Sequence, residues 1–494
     1  MSSINEKSKG IPKFHMEKNK LTSIVVCLAI MVLFWFLPPV EPMTSTGMKV
    51  IGVFISTVLL LSLVDTVWPA LLAVALLSRT GVASLNAIIG ASLGSWVVYF
   101  VLMSFIMTHA LNESGFIQRI VTKFMSMKFV TKTPWIFTFS IGALGMLLAA
   151  FMDQVPAAAF MLAFCNKVYQ ELGYDYKDSY PHITNIVAIF SVNIGGAMTP
   201  ISHPLAILGL GVYEGITGQA ISLFTYLIFG VPTGLVLFML LVVIVRLFAK
   251  PDMSKFENFN IQNVLSKQNP MDLKEKTIVF VFFFTVVMWM APGIISMFAA
   301  NSPLLAALNT YGITFWAIFS VVLMSIISID DKPLINIGQV VNKNMNWAIL
   351  IFIGIGVYLG SAVTAESTGV SAFISENIIP LTNGVAPIII VMIFAFASTF
   401  MTNAASNVTS ITLMTGVGVT LALSSGSLNP VAIALTTTFC GSLAYTFPSG
   451  FATIAMLHGN EYSSSNNIYK YGAAMVIVST IIATLVGYNL ATLL

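Results

Sequence analysis

Two short polar sequences interrupt long apolar stretches of the chain, and both begin with the same dipeptide. Residues 151–155 read Phe-Met-Asp-Gln-Val and residues 400–404 read Phe-Met-Thr-Asn-Ala, at an offset of 249 residues (151 to 400). Amide and hydroxyl groups such as those of Gln154, Thr402 and Asn403 can hydrogen-bond to carboxylate oxygens. A helix that starts after each break would add free N–H groups and its positive dipole end. Small polar residues at a break in a membrane-buried helix, once in each half of the chain, therefore predict a substrate-binding site.

A second pair of breaks follows at nearly the same offset. Glycine and proline interrupt residues 193–204 and 447–453, and Pro200 and Pro448 are 248 residues apart. Backbone groups freed at such breaks are tolerated in a membrane only where protein or a wet cavity satisfies them. Matched interruptions in the two halves of a chain are typical of the binding site of a carrier. The hydroxyl groups expected to join this site are those of Thr199, Ser202, Ser449 and Thr453.

The elements that position these residues are membrane helices. Of 494 residues, 57% are hydrophobic and only 8% are charged, whereas a soluble domain carries about 25% charged residues. Apolar runs long enough to cross a bilayer recur along the whole chain. The sequence predicts eleven crossings, at 21–38, 47–64, 66–79, 92–111, 183–213, 220–249, 277–298, 309–328, 346–363, 429–458 and 471–493.

The distribution of basic residues orients these crossings. The basic segments are the tail 1–20, 112–133, 246–276 and 329–345, and all fall on one side. Of 22 Lys and Arg residues, only Lys49 and Arg79 fall toward the other side. By the positive-inside rule this pattern predicts a multi-pass protein of the plasma (inner) membrane, with a cytoplasmic N-terminus and the C-terminus outside. On this interpretation the basic residues orient the protein in the lipid bilayer and bind no nucleic acid.

Two further apolar segments do not fit as single crossings. Segment 134–165 has basic residues on both flanks, and segment 388–421 has none on either. We therefore predict two re-entrant hairpins, one entering from the inside and one from the outside. Each would hold two half-helices of about 13–16 residues, too short to span alone. The polar sequences would form their tips. The predicted fold is an all-α polytopic membrane protein with about eleven transmembrane helices plus two re-entrant hairpins in two inverted-topology repeats.

At these residues the chain resembles the divalent anion–sodium symporter family, which includes the INDY-like dicarboxylate and citrate carriers. The likeness covers nearly the whole chain. Family members carry Ser-Asn-Thr at each hairpin tip, where this chain has Asp153-Gln154-Val155 and Thr402-Asn403-Ala404. A rival register of the second tip would use Ser406-Asn407-Val408, but the internal repeat favours 402–404. The family's Gly-Thr-Pro-Pro-like breaks match Ser202–Leu205 and Gly450–Thr453.

The resemblance implies a homodimer in which a static scaffold carries a mobile transport domain that moves like an elevator. The implied parts are a cytoplasmic tail 1–20, scaffold helices 21–133, a transport part 134–250 (hairpin 134–165, broken helix 183–213, helix 220–249), a cytoplasmic linker 251–276, scaffold helices 277–387, and a transport part 388–494 (hairpin 388–421, broken helix 429–458, final helix 471–493).

The resemblance also assigns residues to the site. The implied substrate contacts are Gln154, Val155, Thr199, Ser202, His203, Thr402, Asn403, Ala404, Phe451 and Thr453. A first sodium site would use Ala149, Asp153, Gln154 and Ser202. A second would use Ser398, Met401, Asn403 and Gly450. No other cofactor is expected, and coupling to sodium or to protons stays open.

Asp153 is the most unusual of these residues because an acid at mid-membrane costs about 2.5–3.5 kcal/mol. An ionised Asp153 would repel a dianionic substrate unless it is protonated, coordinates a cation or pairs with a base. His203 is the nearest candidate base in the same repeat, and a charged His203 could itself meet the substrate. The alternatives are that His203 is a neutral packed residue and that Asp153 caps a helix.

The resemblance implies a secondary active transporter of C4 or C5 dicarboxylates (succinate, malate, fumarate or 2-oxoglutarate type), and the charged residues Asp153 and His203 predict that it works as an exchanger with reduced or absent sodium coupling. Two alternatives stay open: a sodium-coupled dicarboxylate or citrate symporter, and a cation/proton antiporter. A channel would instead show rates far above carrier turnover. An enzyme is not expected, because the chain has no HExxH, GxSxG or GxGD motif and no second buried carboxylate beside Asp153.

Overall fold

The computed structural model of the protein describes residues 18–65, 67–201, 204–256, 261, 264–265, 269–382 and 384–494. Within these residues the chain is mostly helical, and its only strands are two paired strands of two residues each. Ten helices are long and apolar enough to cross a membrane. The predicted all-α membrane fold is therefore confirmed.

The first half of the chain contains eleven helices. They are α1 (Lys18–Phe36), α2 (Ser45–Leu63), α3 (Trp68–Thr80), α4 (Leu85–Ser92), α5 (Trp96–Glu113), α6 (Phe116–Met125), α7 (Pro134–Phe151), α8 (Gln154–Glu171), α9 (Ser179–Met198), α10 (Pro204–Thr217) and α11 (Leu223–Phe248). Side-chain oxygens cap several of these helices at the position just before the first turn, as Thr44, Ser84, Thr133 and Ser222 do.

The second half repeats the later part of this order. After a short 3₁₀ turn (Ser254–Phe256) come α12 (Leu273–Phe298), α13 (Pro303–Ile326), the hairpin of β1 (Ser328–Ile329) and β2 (Lys332–Pro333), α14 (Ile337–Lys343), α15 (Trp347–Thr364), a 3₁₀ turn (Glu366–Thr368), α16 (Val370–Phe373), a π-helical segment (Ile374–Ile378), α17 (Ile379–Thr382), α18 (Pro387–Ala404), α19 (Asn407–Ser425), α20 (Pro430–Gly441), α21 (Ala452–Gly459), α22 (Ser465–Ile482), a second π-helical segment (Ala483–Tyr488) and α23 (Asn489–Ala491).

The order of elements is the same around the two predicted hairpins. The pair α7–α8 is followed by the broken helix α9–α10 and then α11, and the pair α18–α19 is followed by the broken helix α20–α21 and then α22. The break between α9 and α10 and the break between α20 and α21 overlap the segments in which glycine and proline predict them, although α9 continues through Gly195 and Gly196 to Met198. The division into a scaffold and a transport part stays a prediction.

The hairpin helices are longer than the sequence predicts. α7, α8 and α18 each have 18 residues and α19 has 19, rather than 13–16. The prediction was wrong at α18 because it placed Thr402 and Asn403 in the tip, and at α8 and α19 because these helices continue beyond the predicted ends of the hairpins, residues 165 and 421, to Glu171 and Ser425. Thr402 and Asn403 instead complete the last turn of α18, since their side chains bond to a neighbouring segment and leave the helical backbone bonds intact.

The turn of the second hairpin is also displaced from its predicted position. α18 continues to Ala404, the break falls at Ala405–Ser406, and α19 starts at Asn407. The prediction that residues 402–404 form this tip was therefore wrong by a helical turn, and the rival register 406–408 is the one at the break. The first tip is correct, with its break at Met152–Asp153.

The buried apolar side chains form two separate clusters. The smaller cluster joins α1, α2 and α3 to α15, around residues such as Val53, Leu77 and Ile355. The larger cluster holds the hairpins, both broken helices and α11–α13. The first three helices are therefore attached to the rest of the protein mainly through α15 and the second hairpin.

The first hairpin packs on its broken helix at very short range. A Cβ atom added to Gly195 of α9 would overlap the backbone oxygen of Met146 in α7 and lie 2.7 Å from the Met146 Cα. A Cβ on Gly196 would overlap the side chain of Gln154. Small residues let membrane helices approach this closely, and the contact then comes from backbone packing.

Two ion pairs attach α6 to α12 and the 3₁₀ turn at residues 254–256 to the residue that precedes α9. Arg119 of the amphipathic helix α6 forms a two-pronged ion pair with Glu275 in the first turn of α12, with Nε–Oε1 and Nη2–Oε2 distances of 2.7 and 2.8 Å. Lys255 lies 2.6 Å from Asp178, just before α9, and its hydrogen bond holds the pKa of the Asp178 carboxyl below its usual value. Helix α6, which lies within the basic segment 112–133, is therefore attached to α12.

Candidate functional site

The second helix of each hairpin starts at a buried amide residue. Gln154 is the first residue of α8 and Asn407 the first of α19, and their side chains are 0% and 2% exposed. The two positions are 253 residues apart (154 to 407), and valine follows each as Val155 and Val408. Sequence reasoning did not choose Asn407, although the Ser-Asn pair of the rival register was the available signal.

Each of these amides has one buried polar atom without a hydrogen-bond partner among the described residues. In Gln154 it is Oε1, while Nε2 donates to the backbone oxygen of Asn193 at 3.3 Å. In Asn407 it is Nδ2, while Oδ1 accepts a bond of 2.8 Å from Thr402. A buried unpaired amide atom costs about 1–3 kcal/mol, so a bound ligand that pairs with these atoms would recover that free energy.

The two hairpin tips differ in how their second helix is capped. Asp153 precedes α8, and its Oδ1 accepts a 2.9 Å hydrogen bond from the backbone N–H of Val155. Ser406 precedes α19, but its side chain makes no such bond to the helix. The capping role considered for Asp153 is therefore present. The positive end of α8 already faces a carboxylate, whereas the start of α19 carries no side-chain cap.

The side chain of Asn403 makes hydrogen bonds to the break of the second broken helix and to its own helix, α18. Its Oδ1 accepts bonds from the backbone N–H groups of Tyr445 and Thr446 at 2.6 and 2.8 Å and from the Thr446 hydroxyl at 2.9 Å. Its Nδ2 donates to the backbone oxygens of Thr399 and Leu443 at 2.7 and 3.0 Å. These bonds leave the Asn403 amide no spare donor, so the geometry favours a structural role over the expected substrate contact.

The neighbouring polar residues of α18 are engaged in the same way. Thr402 Oγ1 lies 2.6 Å from the backbone oxygen of Gly441. Ser398, expected at a sodium site, donates to the backbone oxygen of Thr437 at 2.7 Å and lies 3.1 Å from the Ser410 hydroxyl. These bonds attach α18 to α20 along a row of hydroxyl groups.

The two broken helices meet through Asn193, a residue that sequence reasoning placed in a break but assigned no role. Its Nδ2 donates to the backbone oxygen of Ala444 at 2.7 Å, and its Oδ1 accepts a 2.8 Å bond from Thr453. Thr199 ties the first break to the first hairpin, because its hydroxyl donates to the backbone oxygen of Ala150 at 2.8 Å. Both repeats therefore share one polar centre.

The other predicted site residues lie in different surroundings. Gly450 is buried against the second tip, since an added Cβ would lie 2.7 Å from the backbone oxygen of Thr402. Val155, Met401 and Phe451 are half-buried, Ala404 is exposed, and Ala149 is buried within α7. Ser202 and His203 lie outside the described residues, so the expected pairing of His203 with Asp153 stays a prediction. No group of three or more His, Cys, Asp or Glu side chains suited to a metal occurs in the described part of the chain.

Solved structures of two transporters share this fold. The *Alcanivorax borkumensis* YdaH transporter superposes with a TM-score of 0.55 at 11% sequence identity, covering 95% of this chain and 98% of that one. *Neisseria gonorrhoeae* MtrF superposes with a TM-score of 0.56 at 11% identity, covering 94% of both chains. At such low identity the likeness concerns the fold alone.

Sequence comparison gives closer relatives. A protein named sodium-dependent dicarboxylate transporter SdcS from *Staphylococcus saprophyticus* is 24% identical over 420 residues, which cover 81% of this chain and 78% of the relative. The SdcS protein of *Staphylococcus aureus* strain NCTC 8325 is 23% identical over 498 residues, covering 97% and 93%.

The family model described as the sodium:sulfate symporter transmembrane region matches residues 18–494. The match includes both hairpins, both broken helices and the polar centre they share. It confirms the resemblance to the divalent anion–sodium symporters and identifies a transporter family rather than an enzyme. The chain belongs to the sodium:sulfate symporter family.

Proposed function

We propose that the protein is a secondary active transporter of C4 and C5 dicarboxylates that works by exchange with reduced or absent sodium coupling. The dicarboxylate class follows the names of the SdcS relatives. The single observation that carries the choice of site is the matched pair of buried amides, Gln154 and Asn407, each at a helix start and each with an unpaired atom.

The two hairpin tips differ in their polar atoms, which supports different binding partners for each tip. The uncapped start of α19 and the free Nδ2 donor of Asn407 suit a substrate carboxylate. The first tip has an unpaired acceptor, the Oε1 atom of Gln154, which suits a positive partner. A fixed charge near Asp153 would reduce the need for sodium, and His203 is our candidate for it.

The hairpins supply no basic side chain near their tips. Residues 134–166 and 387–425 contain no Lys or Arg, and Lys167 lies at the end of α8 that is far from the tip. Substrate charge must therefore be offset by helix starts, each worth about 0.3–2 kcal/mol, and by amide donors. We further propose that the protein is a homodimer and that the hairpins move as part of an elevator-like transport domain, as the family resemblance implies.

The proposed function predicts counterflow without sodium. Proteoliposomes loaded with unlabelled succinate and placed in choline medium should take up labelled C4 dicarboxylate well above unloaded vesicles, because exchange needs no net charge compensation by sodium. The panel should include malate, fumarate, 2-oxoglutarate and citrate, each with sodium and with choline. Loss of all counterflow in choline would exclude the exchanger and leave the sodium-coupled symporter, which the names of the relatives favour. Cation flux without any carboxylate would instead point to an antiporter.

Substitution of Asn407 should weaken substrate binding while sparing the fold. We expect Asn407→Ala to raise the half-saturation concentration for succinate about tenfold, since one hydrogen bond to a charged group is worth about 1.5–3 kcal/mol. The thermal midpoint should stay near that of the wild type because Nδ2 has no partner to lose in the described structure, and the Thr402 hydroxyl, which bonds to Oδ1, keeps the backbone oxygen of Gly441 as an acceptor at 2.6 Å. Asn377→Ala, at an exposed asparagine outside the site, is the matched control. An unchanged half-saturation constant in Asn407→Ala would remove Asn407 from the site.

A further inference from the structure

A cavity of about 530 Å³ lies away from the hairpins, at the end of the molecule predicted to be cytoplasmic. Four separate elements meet around it: the end of α5, the start of α12, strand β2 and helix α14. Its floor is apolar and rigidly packed, since Leu334, Ile335 and Val340 are buried. The cavity is therefore formed by folded elements from three distant parts of the sequence.

The charged groups around the cavity are mostly positive. Lys274, Lys332 and Lys343 each come from a different element, and His109 lies beside them, half-buried. Glu113 is the one acid in the lining. None of the three lysines makes an ion pair or a side-chain hydrogen bond within the described residues. All three lysines are exposed, so water and salt screen part of their mutual repulsion, and an anion bound between them would offset the rest.

We propose that this cavity binds the phosphate group of an anionic ligand, with Lys274, Lys332 and Lys343 supplying the charge. A phosphate group presents several strong acceptor oxygens and up to two negative charges, and three ammonium groups from separate elements can contact it together. A single carboxylate offers only two oxygens and one charge, and so matches the lining less well. The site is distinct from the transport site because none of its lining residues belongs to a hairpin or a broken helix.

Two sources could supply such a group. One is the headgroup of an anionic phospholipid in the cytoplasmic leaflet, which attracts lysines close to the membrane surface. Helix α12 and its neighbour α13 also carry exposed apolar side chains, including Leu273 and Phe280 of α12 and Ile326 of α13, which could contact acyl chains. The other source is a soluble phosphate compound of the cytoplasm.

The test measures the thermal midpoint of the purified full-length protein during titration with three probes. These are short-chain phosphatidylglycerol below its critical micelle concentration, inorganic pyrophosphate and succinate. We expect a saturable rise with at least one of the two phosphate probes. A response to phosphatidylglycerol alone identifies a lipid site, and a response to pyrophosphate alone a site for a soluble ligand.

The matched variants compare two sets of lysines on the same predicted side. In the triple variant Lys274→Gln, Lys332→Gln, Lys343→Gln the apparent affinity for the active probe should fall at least about tenfold. The triple variant Lys123→Gln, Lys128→Gln, Lys132→Gln makes the same change in net charge at exposed lysines away from the cavity and should respond like the wild type. If the first triple variant does not fold, Lys343→Gln alone, at the exposed end of α14, should show a partial loss. The proposal is overturned by no response to either phosphate probe, by equal responses of the two triple variants, or by an equal effect of succinate.

Discussion

Replacement of Asn403 by alanine is expected to lower the thermal midpoint by on the order of 5–10 °C and to abolish transport. The change removes the shared acceptor of the Tyr445 and Thr446 backbone N–H groups, both of which are buried. Each buried donor left unpaired costs about 1–3 kcal/mol. Tryptophan fluorescence of the detergent-purified protein gives the midpoint, and size-exclusion chromatography reports whether it remains monodisperse.

The matched control for this prediction is Asn407→Ala, which makes the same chemical change one helical turn later. The two residues differ in their bonding: all polar atoms of the Asn403 side chain have partners, whereas Nδ2 of Asn407 has none in the described structure. We therefore expect a large loss of stability in the first variant and a loss of substrate affinity in the second. If Asn403→Ala melted like the wild type but lost substrate binding, Asn403 would be the substrate ligand that the sequence first suggested.

The second large effect is expected for Gly195→Ala, although it adds only one methyl group. The new Cβ would overlap the backbone of Met146 in α7. No side-chain rotation can relieve a clash with backbone, so α7 and α9 would have to separate. Overpacking of a closely packed site costs about 1–3 kcal/mol, and here the separation would also displace Gln154, whose amide donates to Asn193 two residues before the glycine. We expect a lower thermal midpoint together with weaker substrate binding.

Gly90→Ala is the control for the effect of a methyl group at a helical glycine. A Cβ at Gly90 in α4 meets no atom within 4 Å, and alanine favours a helix over glycine by about 0.5–1 kcal/mol. This variant should match or slightly exceed the wild type in stability. Equal midpoints for Gly195→Ala and Gly90→Ala would show that α7 and α9 do not approach each other as closely as described.

The breaks in the membrane helices could be predicted from the sequence because they interrupt long apolar segments. A charged or Gly/Pro-containing segment within thirty apolar residues is conspicuous, so both hairpins and both broken helices were located to within a few residues. The position of the turn in the second hairpin could not be predicted in the same way. Thr402-Asn403 and Ser406-Asn407 are both polar pairs one helical turn apart, and only tertiary bonds decide which pair continues a helix. The repeat Phe-Met favoured the wrong pair because helix packing, rather than residue identity, sets the register.

The roles of single polar residues were the part of the site that was hardest to predict from the sequence. Asn193 and Asn403 look like ligand-binding residues by type, yet most of their hydrogen-bond partners belong to the second broken helix, forty or more residues further along the chain. Asp153 looks like a charge at mid-membrane, and the structure shows that it also caps α8. A sequence shows which hydrogen-bond donors and acceptors are present. Whether a given side chain binds a ligand or the protein itself depends on which backbone groups a helix break leaves unpaired nearby.

The bonds of Asn193 have a consequence for biosynthesis. Its partners, Ala444 and Thr453, lie 251 and 260 residues further along the chain. At about 5–20 residues per second, roughly 10–50 s pass between synthesis of Asn193 and synthesis of these partners. During that interval the first half can insert its helices, but its central amide has none of these bonds. The last hundred residues therefore complete the interior of helices made long before, and folding of the two halves ends in one late, shared step.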